Sequence, residues 1–290
     1  MIEEIIRRIV REELDRKNYH VPFAVYMGEG VVLTRSFYDV LYLISGFDCT
    51  MTPHFIMDGV YESELTKYLL NNVKENSVFV DVGANFGYYS CMMAKRISAA
   101  RGGKVYAFEP NKNAFLLLQK NVMINWLDGN SISLHGVALS DVQEEVQFKN
   151  YKYRFGGSQL YTYEENAEEI NTAEIVKVSA RTMDSYFPNG AKVDFLKIDV
   201  EGAEIKVLKG AEQTINNNPN IRIILEWDNE LLKGHGTNSS ALIEFLEIKK
   251  LRPFKLDWHD GSTSEISFDY LLSTSDHLCG VLFEGNGQIS

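Results

Sequence analysis

Cysteine is scarce in this chain: 290 residues hold three, Cys49, Cys91 and Cys279, far apart and in no Cys-x-x-Cys pair. That excludes a disulfide framework and the spacings of zinc or iron–sulfur sites, and it fits a reducing, cytoplasmic compartment. Basic charge is also short, with 29 Lys and Arg against 40 Asp and Glu and a net charge of −11. Phosphate binding wants clustered Lys and Arg, and no long basic run is present, so a nucleic-acid partner is not expected. Long apolar runs are missing too. The opening MIEEIIRRIVREELDRK mixes acids and bases without an apolar centre, so neither a signal peptide nor a membrane span is expected. No repeat or low-complexity linker interrupts the chain.

What is present is a substantial core, with 45% hydrophobic residues. Ile2, Ile5, Ile6, Ile9, Val10 and Leu14 recur at helical spacing, so residues 2–17 read as an amphipathic helix. Its apolar face packs on its own domain or forms a homodimer. Residues 1–60 read as a leader or cap, holding short β-like pieces at Val31–Leu33 and Tyr38–Ile44. From residue 61 to 290 strand and helix patterns alternate, predicting an α/β domain around a mostly parallel, Rossmann-like sheet with helices on both faces. The tail Cys279–Glu284 reads as a last strand inserted antiparallel. The rhythm breaks at about 142–180, where YKYRFGGSQLYTYEENAEE lies between two alternating strands and reads as a lid-like insertion.

VFVDVGANFGYYS, Val78 to Ser90, joins a continuously apolar strand to a helix through Gly83-Ala84-Asn85-Phe86-Gly87. In open α/β sheets ligands sit beyond the carboxyl ends of the strands, and such a turn admits a close backbone approach. A dinucleotide site wants Gly-x-Gly-x-x-Gly to admit a pyrophosphate. Here the pattern is Asp81-x-Gly83-x-x-x-Gly87, and a carboxylate just before the bend repels phosphate. The same carboxylate suits the ammonium of a methionine moiety, directly or through water, so S-adenosylmethionine (SAM) is favoured over NAD or ATP. Glu109, twenty-eight positions on in VYAFEP, ends the next strand, where an acid can accept hydrogen bonds from both ribose hydroxyls. The adenine is expected at Ala138-Leu139-Ser140-Asp141, with Leu139 on its face and Asp141 or a backbone N–H at its edge.

In order, VDVGANFGYYS, AFEPNKNAFLLLQKNV, ALSD, FLKIDVEGAEIKVLKGA and IILEW resemble the FkbM-type SAM-dependent methyltransferases. The resemblance spans about Val60–Asp228, with the short GVYE stretch, Gly59–Glu62, ahead of the first motif. It implies a class I methyltransferase fold with a seven-stranded sheet. It also implies O-methylation of a hydroxyl on a sugar, polysaccharide precursor, or polyketide- or lipid-type natural product. Tyr61, Glu62, Ala84, Asn85, Tyr88, Pro110, Asn111 and Asp199 join the expected cofactor set; Tyr88 and Tyr89 line the pocket or pack the helix.

Methyl transfer to oxygen needs alignment and a group to take the hydroxyl proton. Asp199, in KIDVEG, is the first choice as base or metal ligand, with Glu201 and Lys197 orienting substrate or closing an ion pair. Glu226 and Asp228 end the following strand, so Asp199, Glu226 and Asp228 form a candidate Mg²⁺ site. His235, in KGHGTNSS, is a candidate base or substrate clamp. His54 and His259 are weaker candidates, and His135 is expected to be structural. An N-methyltransferase of the nucleic-acid type would carry Asn/Asp-Pro-Pro-Tyr/Phe where this chain reads DVEG, and a nicotinamide-dependent oxidoreductase conflicts with Asp81. A SAM-binding regulator or scaffold without catalysis is the remaining alternative.

Overall fold

The computed structural model describes residues 23–127, 129–151, 159–160, 173–188, 190–234 and 239–285. The expected helix 2–17, most of the aromatic part of the insertion, and His235 lie outside these residues.

Three short strands open the described chain: β1 (Ala24–Gly28), β2 (Val31–Arg35) and β3 (Leu41–Ser45), an antiparallel sheet in that order. Next come β4 (Val78–Val82), β5 (Lys104–Phe108), β6 (Ile132–His135) and β7 (Ala138–Leu139). The insertion supplies β8 (Glu145–Tyr151), β9 (Gln159–Leu160) and β10 (Ala173–Arg181). The chain closes with β11 (Phe195–Ile198), β12 (Arg222–Trp227), β13 (Leu251–Leu256), β14 (Thr263–Glu265) and β15 (Leu278–Gly285).

The central sheet runs β14-β13-β15-β12-β11-β4-β5-β6. β6, β5, β4, β11 and β12 pair in parallel, and β15 enters antiparallel between β12 and β13, as the tail's pattern predicted. Among the described residues the sheet has eight strands, not the seven expected. The extra one, β14, is an exposed three-residue edge folded back on β13. So short and so polar a stretch carries no periodic signal, and the turn before it needs Gly261 at φ +72°.

Strand β4 is buried at all five positions, the pattern of a strand covered on both faces. Val78, Val80 and Val82 join one apolar cluster with Leu196, Ile198, Leu208, Trp227 and Leu246. Phe79 points to the other face, into a cluster with Phe195, Met93, Leu69, Tyr42 and Phe55. Tyr42 and Phe55 come from the first sixty residues, so this segment shares the core of the main sheet. Two amides lock it there. Asn121, on the helix Lys112–Ile124, and Asn125, which caps its C-terminus, each accept an N–H from and donate to a carbonyl of Leu43 and Leu41 respectively, imitating a neighbouring strand along β3. Tyr42 adds a buried bond from its hydroxyl to the Tyr88 carbonyl, 2.8 Å. Among the described residues no helix is long and apolar enough to cross a membrane.

Candidate functional site

The carboxyl ends of β4, β5 and β11 are in register: Val82 lies beside Phe108 and Ile198, and Asp81 beside Ala107 and Lys197. The loops leaving them enclose one cavity, lined from the first turn by Asp81, Gly83, Ala84, Asn85 and Tyr88. Tyr61, Glu109, Pro110, Ala138 and Leu139 complete the expected cofactor side, and Asp199, Glu201, Lys197 and Glu226 form the other end. Glu62, Gly87, Asn111, Ser140, Asp141 and Asp228 do not line it.

The glycines serve packing more directly than ligand approach. Gly83 has φ +79°, and a Cβ there would lie 1.8 Å from the Asp199 carbonyl oxygen, so the first turn can cross the KIDVEG turn only without a side chain. At Gly87, φ +92°, a Cβ would strike Leu118, which explains a glycine that stays out of the cavity. Asn85 holds φ +51° between them, and its backbone N–H donates to Glu109 Oε2 at 2.8 Å. The other Glu109 oxygen accepts from the Asn111 N–H at 2.7 Å, so two backbone groups fix this carboxylate at the end of β5. Burial pushes the Glu109 carboxyl up to about 7 against these two bonds. Asn111 therefore shapes the site from outside: it caps the following helix and its amide reaches Asn150 of β8.

Asp81 is 1% exposed and accepts from Ser90 Oγ at 2.6 Å, while its Oδ1 is buried with no protein partner. Burial raises its pKa, with Lys197 acting in the opposite sense. A buried acceptor left over beside a pocket is what a cationic or N–H-bearing ligand would satisfy. Lys197, 3% exposed, bonds Asp199 Oδ2 at 2.9 Å and stands 5.1 Å over the Tyr89 ring. Burial pulls this ammonium down, but Asp199, Asp81 and Glu62 together hold it above the usual lysine value. Glu62, at φ +43° ahead of the helix Ser63–Asn72, accepts from Tyr89 at 2.6 Å and is raised chiefly by burial. It acts on the site through Lys197 and Tyr89. Tyr88 does both things expected of it, lining the cavity and bonding Thr66 and the Tyr61 N–H.

Of the expected adenine region, buried Ser140 donates from Oγ to Oδ1 of exposed Asp141 at 3.1 Å; Ala138 and Leu139 alone reach the cavity. Several lining residues were not singled out by the sequence reading, and two come from outside the quoted motifs altogether. Met51 arrives from the leader, with its sulfur 3.3 Å from the Asn85 amide, and Phe148 from β8 of the insertion. Neither carries a motif. Glu204 was also missed: 1% exposed, it accepts from the Gly202 N–H at 3.1 Å and holds the turn in which Glu201 and Gly202 both have positive φ.

For a metal, the carboxylates that converge are Asp199, Glu201 and Glu226, each offering an oxygen within 4.8 Å of the others. Asp228 is not among them; its Oδ1 accepts from the Glu230 N–H at the start of the next helix. The donor set does not fit a resident Mg²⁺. One Asp199 oxygen already holds the Lys197 ammonium and one Glu226 oxygen holds His277 Nε2 at 2.7 Å, which leaves too little uncompensated charge. His54 and His259 do not line the cavity. His135 stacks on Phe108 and meets Tyr186, with its pKa lowered by burial, as a structural residue would.

Residues 81–252 match the methyltransferase FkbM domain. The chain belongs to that family. Among curated relatives, methyltransferase sdnD of Sordaria araneosa is 28% identical over 50% of this chain and 64% of its own length. The hexuronic acid methyltransferase AglP of Haloferax volcanii is 28% identical over 53% of this chain and 59% of its own. The chain thus spans about three fifths of the length of the curated relatives it matches. A solved methyltransferase FkbM from Methylobacillus flagellatus superposes with a TM-score of 0.43 at 17% identity, over 73% of this chain and 44% of that one.

Proposed function

We propose that this methyltransferase uses SAM and methylates a hydroxyl of a sugar or related natural product. The observation that carries the cofactor is the pair of fixed carboxylates at adjacent strand ends: Asp81 with a buried, unpartnered oxygen, and Glu109 aimed into the cavity by two backbone N–H groups. Asp81 would take the ammonium of the methionine part, Glu109 the ribose hydroxyls, and Ala138 and Leu139 the adenine. When bound, SAM supplies a methyl group on a positively charged sulfur.

The chain's own part is to align the acceptor and take its proton. Two carboxylates stand at the acceptor end. Asp199 is tied to Lys197, whereas Glu226 keeps Oε2 buried without a partner and has a raised pKa, from burial first and Asp199 second. A raised pKa makes a stronger proton acceptor, so Glu226 is the base and Asp199 orients. This reverses their order in the sequence reading. The hexuronic acid relative supports a sugar-type acceptor. Incubating the protein with methyl-labelled SAM and a panel of activated sugars and glycans tests the reading. Label is expected in a base-stable product; SAM binding without turnover on any acceptor would favour a regulator, and binding of NAD in place of SAM would end the proposal.

A further inference from the structure

His277 lies in the stretch SDHLCG just ahead of β15, far in sequence from every motif of the site. The antiparallel pairing of β15 with β12 slips there, between Leu225–Val281 and Trp227–Leu278. Such a bulge bends a strand and re-aims its side chains, often beside an active site. Here it sets His277 across from Glu226, with Nε2 2.7 Å from Oε1. The two side chains differ in exposure, 50% for His277 and 14% for Glu226. Glu226 therefore spans the gap between the cavity, where Oε2 is unpartnered, and a histidine in contact with solvent.

We propose that His277 is a positioning residue for Glu226: its Nε2–H holds Oε1, so that Oε2 faces the acceptor as an ionised proton acceptor. This rests on the methyl-transfer reading above. In the step concerned, the O–H bond of the acceptor breaks, the electron pair stays on oxygen, and the proton goes to Oε2. The groups around the pair explain why a partner is needed. Burial and Asp199 favour a protonated Glu226; His277 and, less strongly, Lys197 oppose them. His277 in turn feels the negative charges of Asp228 and Glu62, and its bond to Glu226 is the main cause of a pKa above the ordinary histidine value. Tyr61 and Cys279 complete the surroundings as neutral groups, both raised chiefly by burial. The bond from His277 thus favours the charged form of a carboxylate that burial and Asp199 push toward its neutral form.

Two readouts on the full chain test this. The first needs no acceptor: NMR titration of the His277 ring in the unmodified protein and in Glu226→Gln, with His277→Gln identifying the signal. The expected result is a drop of about 1 unit or more in the variant; equal values in both overturn the proposal. The second is the pH dependence of methyl transfer from labelled SAM to a panel of neutral methyl glycosides. His277→Ala should lower kcat about 10-fold or more at pH 7 and move the acidic limb up by about 1 to 3 units, with KM little changed. His277→Gln keeps an N–H near the position of Nε2 and should restore part of the rate. An unmoved acidic limb with full kcat overturns the proposal. Calorimetry with SAM separates the two readings: binding retained in both His277 variants isolates the effect to proton transfer, whereas no SAM binding to the unmodified protein overturns the methyl-transfer reading and this one with it.

Discussion

The two ends of the cavity are built differently. The end proposed for the cofactor is local: Asp81, Gly83, Asn85 and Glu109 lie within twenty-nine residues, on two adjacent parallel strands and the turns after them. The end proposed for the acceptor is assembled from afar: Asp199 follows β11, Glu226 is the penultimate residue of β12, and His277 precedes β15. Local spacing fixes the first end through backbone bonds to side chains. The second depends on strand order, on a register slip, and on ion pairs between distant elements. One end is a motif, and the other is a product of the whole sheet.

That contrast can be broken most severely where the two ends touch. Gly83→Ala would drive a methyl group into the Asp199 carbonyl while forcing an unfavourable φ, and should cost about 3 kcal/mol or more of stability by denaturant unfolding. A cost under about 1 kcal/mol would mean the turns do not cross as described. Glu226→Gln should lower turnover about 100-fold and leave SAM affinity within about 3-fold, because it removes a proton acceptor and no cofactor contact. Equal loss of both would collapse the distinction between the ends. Glu109→Gln should do the opposite, weakening SAM about 10-fold while the variant stays folded. A strong chelator should leave the rate unchanged, since the acidic cluster is already occupied by Lys197 and His277. The smallest effect is expected away from both ends: Tyr42→Phe loses one buried hydrogen bond to Tyr88 and should cost about 1 kcal/mol, visible in Tm and not in the pH profile.

Protonation adds a further separation. Glu109 titrates near 7 in the folded protein because burial disfavours its charge. Its folded value lies above its unfolded one, so its contribution to stability is fully present below the unfolded pKa, about 4.5, and is lost as pH rises through about 7. Cofactor binding runs the other way. The ionised carboxylate is the better acceptor for ribose hydroxyls, so affinity should rise across the same interval.

The strand-turn-helix unit proposed to hold the cofactor was legible as local structure, because glycine spacing and an acid before the bend act within one such unit. The central sheet was legible for a related reason: four of the five residues of β4 are apolar, Asp81 being the exception, the pattern of a strand buried on both faces. The reasons for the glycines were not legible, since the atoms they make room for belong to Asp199 and Leu118. Met51 and Phe148 were hidden because an apolar residue in a leader or an insertion looks the same whether it lines a cavity or fills a core. Among the histidines, His235 attracted notice by following a strand end, while His277 had no local sign. Its partner is fifty-one residues away, and only the slip between β12 and β15 brings the two together.

Calorimetric titration of SAM into the unmodified protein and into Glu109→Gln, at pH values from 6 to 8, tests the central claim most directly. SAM should bind the unmodified protein with an affinity that increases through about pH 7, and Glu109→Gln should bind it more weakly with that pH dependence gone. Failure of SAM to bind the unmodified protein, or equal affinity and equal pH dependence in the two, would contradict the account.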